Sequence, residues 1–214
     1  MDFNIAIDGP AGSGKSTIAN ILANKYDLMY INTGAMYRAV TLFAKENNIK
    51  PEDTEKLADL INDLKMHFDK EKLIVNGEVI NDKITMPEIS NSVSDYAKVQ
   101  VVRELLVTAQ KKLGEEYNVI MDGRDIGTNV LTDAKYKFFL TANPEERAKR
   151  RYLELTNKGL NVNFEDILND IIKRDLIDST REISPLKKAD DAVEIDTSNL
   201  DIDGVVNCIC EHIE

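Results

Sequence analysis

The stretch that decides the fold is Asn4-Ile5-Ala6-Ile7-Asp8-Gly9-Pro10-Ala11-Gly12-Ser13-Gly14-Lys15-Ser16-Thr17. Residues 3–8 read as a short buried strand. Gly9 to Ser16 fit G-x-x-x-x-G-K-[ST], a loop whose backbone N–H groups converge on phosphate oxygens where glycine removes the Cβ clash. A helix is expected from Lys15 to Lys25, with Ile18, Ile21 and Leu22 on one face. Its N-terminus adds partial positive charge behind the loop. In this pattern Lys15 reaches the β- and γ-phosphates and Ser16 holds Mg²⁺. The loop does not say what receives a phosphate, so a second site has to be sought elsewhere in the chain.

Working outward, Leu28–Ile31 reads as a strand, and Asn32-Thr33-Gly34 opens a helix through Tyr37, Val40 and Phe43. Pro51 starts another, with Leu57, Leu60, Ile61 and Leu64 at helical spacing. The period then changes. Asn76-Gly77 sits between two apolar runs, a type I′ hairpin signal, and a hairpin among helices of an α/β chain reads as an insertion. One helical stretch is expected from Pro87 to about Glu115. Asn118–Met121 reads as a buried strand ending at Asp122-Gly123-Arg124-Asp125, and Lys137–Leu140 as another. Pro144, after Asn143 as cap, starts a helix. Asn163–Asp178 is helical, Val193–Asp196 is a last strand, and a terminal helix follows. Strands alternating with helices imply a doubly wound parallel sheet, which binds ligands beyond the carboxyl ends of its strands. The Gly9–Ser16 loop and the Asp122–Asp125 turn both follow strand ends, so they should face one crevice.

The chain has 214 residues and a net charge of −11, which argues against a broad nucleic-acid face but not against a small anionic ligand. No apolar run is long enough for a bilayer, and the start Met1-Asp2-Phe3-Asn4 is not that of a signal peptide; a cytoplasmic protein is expected. Cys208 and Cys210 match no metal or redox spacing and read as reduced thiols on the last helix. Arginine is sparse, eight residues, and several lie beside Gly or Asp. Its rigid bidentate fork suits phosphate.

Two functional classes share the loop, a nucleotide switch and a phosphotransferase. Asn24-Lys25-Tyr26-Asp27 and Asp201-Ile202-Asp203-Gly204 have the strings of a guanine-reading switch, but the first ends the helix leaving the loop and the second lies near the C-terminus. The phosphotransferase reading requires a second anion site, for which Arg38, Arg124, Arg174 and Arg181 are candidates. His67 and His212 are the only histidines and neither touches a motif. A kinase acting on an alcohol wants a carboxylate base, whereas one acting on a phosphate monoester needs only neutralisation and alignment. An Arg-rich, His-poor crevice favours a phosphorylated acceptor.

Four motifs together, residues 9–17, Thr33-Gly34-Ala35-Met36-Tyr37-Arg38-Ala39, Asp122-Gly123-Arg124-Asp125-Ile126-Gly127-Thr128 and Arg181-Glu182-Ile183-Ser184-Pro185-Leu186, resemble bacterial cytidylate kinases over essentially the whole chain. The resemblance implies a P-loop three-layer α/β/α fold in one kinase domain, residues 1–214. It also implies a hairpin-containing nucleoside-monophosphate insert over about 64–100 and a helical lid with adjoining helix over about 145–185. It implies transfer of the γ-phosphate of ATP to CMP or dCMP with Mg²⁺, with another nucleoside-monophosphate kinase of UMP/CMP type as the alternative. No stretch of the sequence points to an obligate partner, nucleic acid or membrane, and a monomer is expected. ATP would lie on Gly9, Pro10, Ala11, Gly12, Ser13, Gly14, Lys15, Ser16 and Thr17. Arg38, Arg124 and Arg181 would hold the acceptor phosphate, with Thr33 and Tyr37 lining that pocket. Ser94, Arg103 and Asp125 would read the cytosine edge, and Arg174 and Asp178 the ribose. Lys15 and the arginines Arg38, Arg124, Arg174 and Arg181 would be catalytic. Arg147, Arg150 and Arg151 would belong to the lid, Arg150 touching ATP, although local pairing with Glu145, Glu146 and Glu154 would also account for them. Asn32 stands where Asp is expected, and the role of that position stays open. Asp122 is open to two roles, structural or ordering the Mg²⁺ shell through water.

Overall fold

The computed structural model describes residues 3–213. β1 (Ile5–Asp8) is fully buried and leads through the glycine loop into α1 (Lys15–Tyr26). The strand starts later than its apolar pattern because Asn4 is spent on side-chain hydrogen bonds: its Nδ2 donates to the Gly114 carbonyl and its Oδ1 accepts from Val119 N–H. β2 (Met29–Asn32) and α2 (Thr33–Glu46) meet at Asn32, whose Oδ1 caps α2 by accepting from Ala35 N–H at 2.8 Å. A neutral amide thus performs the capping that an aspartate would also perform.

α3 (Thr54–Asp63) precedes an antiparallel unit, β3 (Met66–Asp69), β4 (Lys72–Val75) and β5 (Glu78–Val79). Asn76 and Gly77, at φ 51° and 86°, make the turn between β4 and β5 with both residues left-handed, as a type I′ turn demands. After the single turn α4 (Asn81–Ile84), the expected long helix is two: α5 (Pro87–Ala97) and α6 (Gln100–Glu116). The break falls at Lys98–Val99, where Val99 turns extended. No glycine or proline marks it. The bend lets Val93, Tyr96 and Ala97 of one helix and Val102 and Leu106 of the other enter one core cluster, a tertiary gain that local pattern does not encode.

β6 (Val119–Gly123) runs into a single π-turn over Ile126–Val130, followed by β7 (Tyr136–Thr141). α7 (Pro144–Asn157) and α8 (Phe164–Thr180) are capped by Asn143 and Asn163 and form a hairpin with its own small apolar cluster, Ala148, Leu155, Ile167 and Ile171. β8 (Val193–Asp196) and α9 (Ile202–Cys210) end the fold. The main sheet is parallel throughout, in the order β2-β6-β1-β7-β8. One core cluster lies on each face of it. No helix among the described residues is long and apolar enough to cross a membrane.

Register does the positioning. Asp8 pairs with Gly123, and Asn32 with Asp122. Three chain segments therefore leave the sheet at one level: the glycine loop, the start of α2 and the Asp122–Asp125 turn.

Candidate active site

These segments, with α5, α7 and α8, enclose a cleft of about 1450 Å³, larger than one drug-sized ligand needs. Its floor is the glycine loop. Gly14 takes φ 90° at the N-cap of α1, a left-handed conformation that aims the backbone around the turn. Lys15 Nζ donates to the Pro10 carbonyl at 2.6 Å. Burial and the nearby Arg124 guanidinium push the Lys15 ammonium well below its usual range, against the pull of Asp122. Ser16 Oγ donates to Asp122 Oδ2 at 2.8 Å, and Tyr30 donates its hydroxyl to Oδ1 at 3.0 Å. Asn32 Nδ2 donates to Tyr30 Oη at 3.1 Å.

This corner presents one hydroxyl and one carboxylate side by side. No cluster of three or more His, Cys, Asp or Glu side chains among the described residues could hold a metal by itself. The Ser16 hydroxyl beside the Asp122 carboxylate is a donor set of the kind Mg²⁺ takes, which keeps waters and binds through one or two protein oxygens plus substrate phosphates.

Across the cleft, guanidinium groups crowd together. Burial, with Arg124 and Arg38 nearby, lowers Arg174 to about 9, still a cation at neutral pH. Burial lowers Arg38 as well, with Arg124 and Arg151 adding repulsion against the pull of Asp122. Nε of Arg38 and Nε of Arg174 are buried without a hydrogen-bond partner. Cations that repel one another and keep unused donors form a cradle for anionic oxygens.

Two carboxylates of the cleft, Asp178 and Asp125, are already engaged. Arg124 Nε donates to Asp178 Oδ2 at 2.9 Å, and Ser94 Oγ to Asp178 Oδ1 at 3.2 Å. Burial raises the Asp178 carboxyl, but Arg124 and Arg174 outweigh it and hold it below its ordinary value. Asp125 is gripped from two sides, by Arg103 Nη2 at 2.5 Å and Arg181 Nη2 at 3.3 Å. Arg103 also lies over the Tyr37 ring at 5.4 Å, a cation–π contact. Burial pushes the Tyr37 hydroxyl up to about 12, so it stays a neutral group whose oxygen has no partner.

Residues 5–214 match the family described as Cytidylate kinase. The chain belongs to the cytidylate kinase family. A cytidylate kinase of Clostridium acetobutylicum is 62% identical over 213 residues, covering 100% of this chain and 98% of its own. Cytidylate kinases of Clostridium perfringens and Clostridium botulinum are 60% and 58% identical, over 99% and 100% of this chain and 98% and 99% of theirs. Among solved structures, a shikimate kinase of Bacteroides thetaiotaomicron aligns with TM-score 0.52 at 12% identity over 98% of this chain and 97% of its own, a likeness of fold alone.

Most residues expected from the cytidylate kinase motifs line the one cleft. On the donor side these are Ala11, Gly12, Ser13, Gly14, Lys15, Ser16, Thr17 and Arg150. On the other are Thr33, Tyr37, Arg38, Ser94, Arg103, Arg124, Asp125, Arg174, Asp178 and Arg181. Gly9 and Pro10 are the exceptions. A Cβ on Gly9 would lie 2.0 Å from the Leu140 carbonyl oxygen, so glycine there serves the approach to β7. Pro10 lines a separate, smaller cavity behind the loop. Arg147 also departs from expectation. It is buried and donates to the Ala142 and Ala11 carbonyls and to Asp175, bracing the glycine loop from behind. Arg150 donates to the Thr197 carbonyl at 2.6 Å, and Arg151 pairs with Glu154 at 2.7 Å. His67 and His212 do not line the cleft, and the Asn24–Asp27 string runs from the last turn of α1 to its C-cap. Asp8, a buried carboxylate at the end of an apolar strand, is not among the site residues expected from the motifs.

Proposed function

We propose that this chain transfers the γ-phosphate of ATP to CMP or dCMP, giving ADP and CDP or dCDP. The observation that carries the proposal is that Lys15, Arg38, Arg124 and Arg174 line one cleft, with Nε of Arg38 and Nε of Arg174 unpartnered, a gathering of cations that calls for anionic ligands. ATP phosphates lie on residues 11–17, and Arg150 reaches towards the nucleotide. Mg²⁺ arriving with ATP would be held by Ser16, with Asp122 ordering its water shell, and would offset charge on the β- and γ-phosphate oxygens. Arg38, Arg124 and Arg181 hold the acceptor phosphate beside Thr33 and Tyr37. Arg174 and Asp178 hold the ribose.

Specificity rests on the Arg103–Asp125 pair, with Ser94 beside it. Cytosine offers an amino donor to Asp125 and ring acceptors to Arg103, whereas uracil turns a carbonyl towards the carboxylate. No general base is required, because the acceptor oxygen is already anionic. Asp125 and Asp178 are each bound to guanidinium groups, which supports the same reading. Residues 64–100 serve as the acceptor-binding insert and residues 145–185 as a lid. A cytoplasmic monomer is the form expected for this reading.

The test is ADP release coupled to an indicator reaction, with CMP, dCMP, UMP and AMP as acceptors. CMP and dCMP are expected to be preferred. Equal rates with UMP or AMP would remove cytosine from the proposal, and no acceptor-dependent release would remove the transfer.

A further inference from the structure

We propose that Asp8 is a positioning residue for the acceptor site, clamping the turn that carries Arg124 and Asp125. Asp8 ends β1 and is almost wholly buried. Its Oδ1 accepts from Ile126 N–H and its Oδ2 from Gly127 N–H, both at 2.8 Å. These are the first two N–H groups of the π-turn, donors that a helical turn leaves unsatisfied at its start. One carboxylate, reaching across 118 positions of sequence, satisfies both.

The consequence is geometric. Gly123 is fixed in β6 by its pairing with β1, in register with Asp8 itself. Ile126 and Gly127 are fixed by the Asp8 carboxylate. Only Arg124 and Asp125 lie between these anchors. A two-residue bridge pinned at both ends has little backbone freedom, so their side chains are launched in set directions. Asp8 also continues directly into Gly9, the first residue of the phosphate loop. Its side chain acts on the Arg124–Asp125 turn alone, while the phosphate loop begins at the next residue along the backbone.

The environment makes this clamp sensitive to charge. Burial pushes the Asp8 carboxyl up to about 7, with Asp125 adding repulsion; the Gly127 and Ile126 N–H groups and Lys15 pull the other way. Lys137, whose stem lies beside Gly127, spends its ammonium on Asp191 and the Thr132 carbonyl. An ionised Asp8 offers two accepting oxygens to the turn, and a protonated one loses an acceptor.

The inference rests on the function proposed above, and its test separates the two. If that function is wrong, the unaltered chain releases no ADP in response to CMP. Given activity, Asp8→Asn presents an amide donor to one of the two N–H groups. KM for CMP is expected to rise about tenfold or more and the CMP:UMP ratio of kcat/KM to fall, while KM for ATP moves less than about threefold. Both KM values rising together, or neither moving, would overturn the proposal. A second measurement needs no variant. In the unaltered chain the CMP:UMP ratio is followed over roughly pH 6 to 8, where the phosphate titration common to both acceptors cancels. The ratio is expected to fall as pH drops, in step with movement of the Ile126 and Gly127 amide proton signals. A flat ratio while those signals titrate would also overturn it.

Discussion

Arg124 reaches from the turn after β6 to Asp178 on α8, Nε to Oδ2 at 2.9 Å, while its Nη1 donates to the Gly123 carbonyl at 3.2 Å, and it lines the cleft together with Arg38 and Arg174. Nε and Nη1 are thus spent on orientation, which leaves Nη2 without a partner at hydrogen-bond distance among the described residues and open to an anion. Lysine keeps the charge but has a single ammonium that cannot do both. Arg124→Lys is expected to lower kcat on CMP by about 10²-fold or more, the scale that misplacement of a reacting group produces, and to lower the melting temperature as the Nε–Asp178 bond is lost. Turnover within about threefold of the unaltered enzyme would take Arg124 out of the transfer step.

Asp125 sits between Arg103 and Arg181, all three buried. Asp125→Asn removes the charge both guanidinium groups face, and loss of one partner of such a pair costs about 3–5 kcal/mol, so the melting temperature should fall. The selective readout is the CMP:UMP ratio of kcat/KM, which does not depend on how much enzyme is folded. An amide can donate to the uracil carbonyl, so the ratio is expected to narrow by about tenfold. An unchanged ratio would mean that the base is read elsewhere.

How far these residues could be read in advance differs by physical cause. The layering of the fold follows from apolar period and from the motif at residues 9–16, both local signals. So do the cap at Asn143 and the turn at Asn76-Gly77. The split at Lys98–Val99 has no local marker, because the gain is a shared core. Arg147 resembles its neighbours Arg150 and Arg151 in sequence, and only the approach of the Ala11 and Ala142 carbonyls makes it structural. Asn32 keeps the cap that an aspartate would make, so the departure at that position leaves α2 intact.

Asp178 supplies a stability prediction with a definite sign. Its carboxyl is held below the ordinary value by Arg124 and Arg174, which overcome the opposing effect of burial. A depressed carboxylate contributes stability that is fully present above its unfolded value of about 3.9 and is lost as pH falls through the lower folded value. Urea midpoints of the unaltered chain should therefore decline more steeply below about pH 4 than those of Asp178→Asn. Parallel acid limbs for the two proteins would show that the pair with Arg124 adds nothing to folding.

Two contacts cross the mouth of the cleft. Asn91 Nδ2 on α5 donates to Asp170 Oδ2 on α8 at 2.9 Å, and Arg151 Nη2 on α7 to the Thr85 carbonyl at 3.3 Å. The Asn91–Asp170 bond is exposed, and a hydrogen bond contributes about 1 kcal/mol net. The α7–α8 hairpin has its own apolar cluster, so it can tilt as a unit without exposing the main core. Closure that depends on a weak bridge should respond to an acceptor filling the cleft, which keeps water from the γ-phosphate until then. ATP consumption without CMP is therefore expected to be about 10²-fold slower than with it, and Asn91→Ala should raise the share of ATP lost to water at saturating CMP. Equal consumption with and without CMP would rule out acceptor-driven closure, and an unchanged water share in Asn91→Ala would remove the bridge from it.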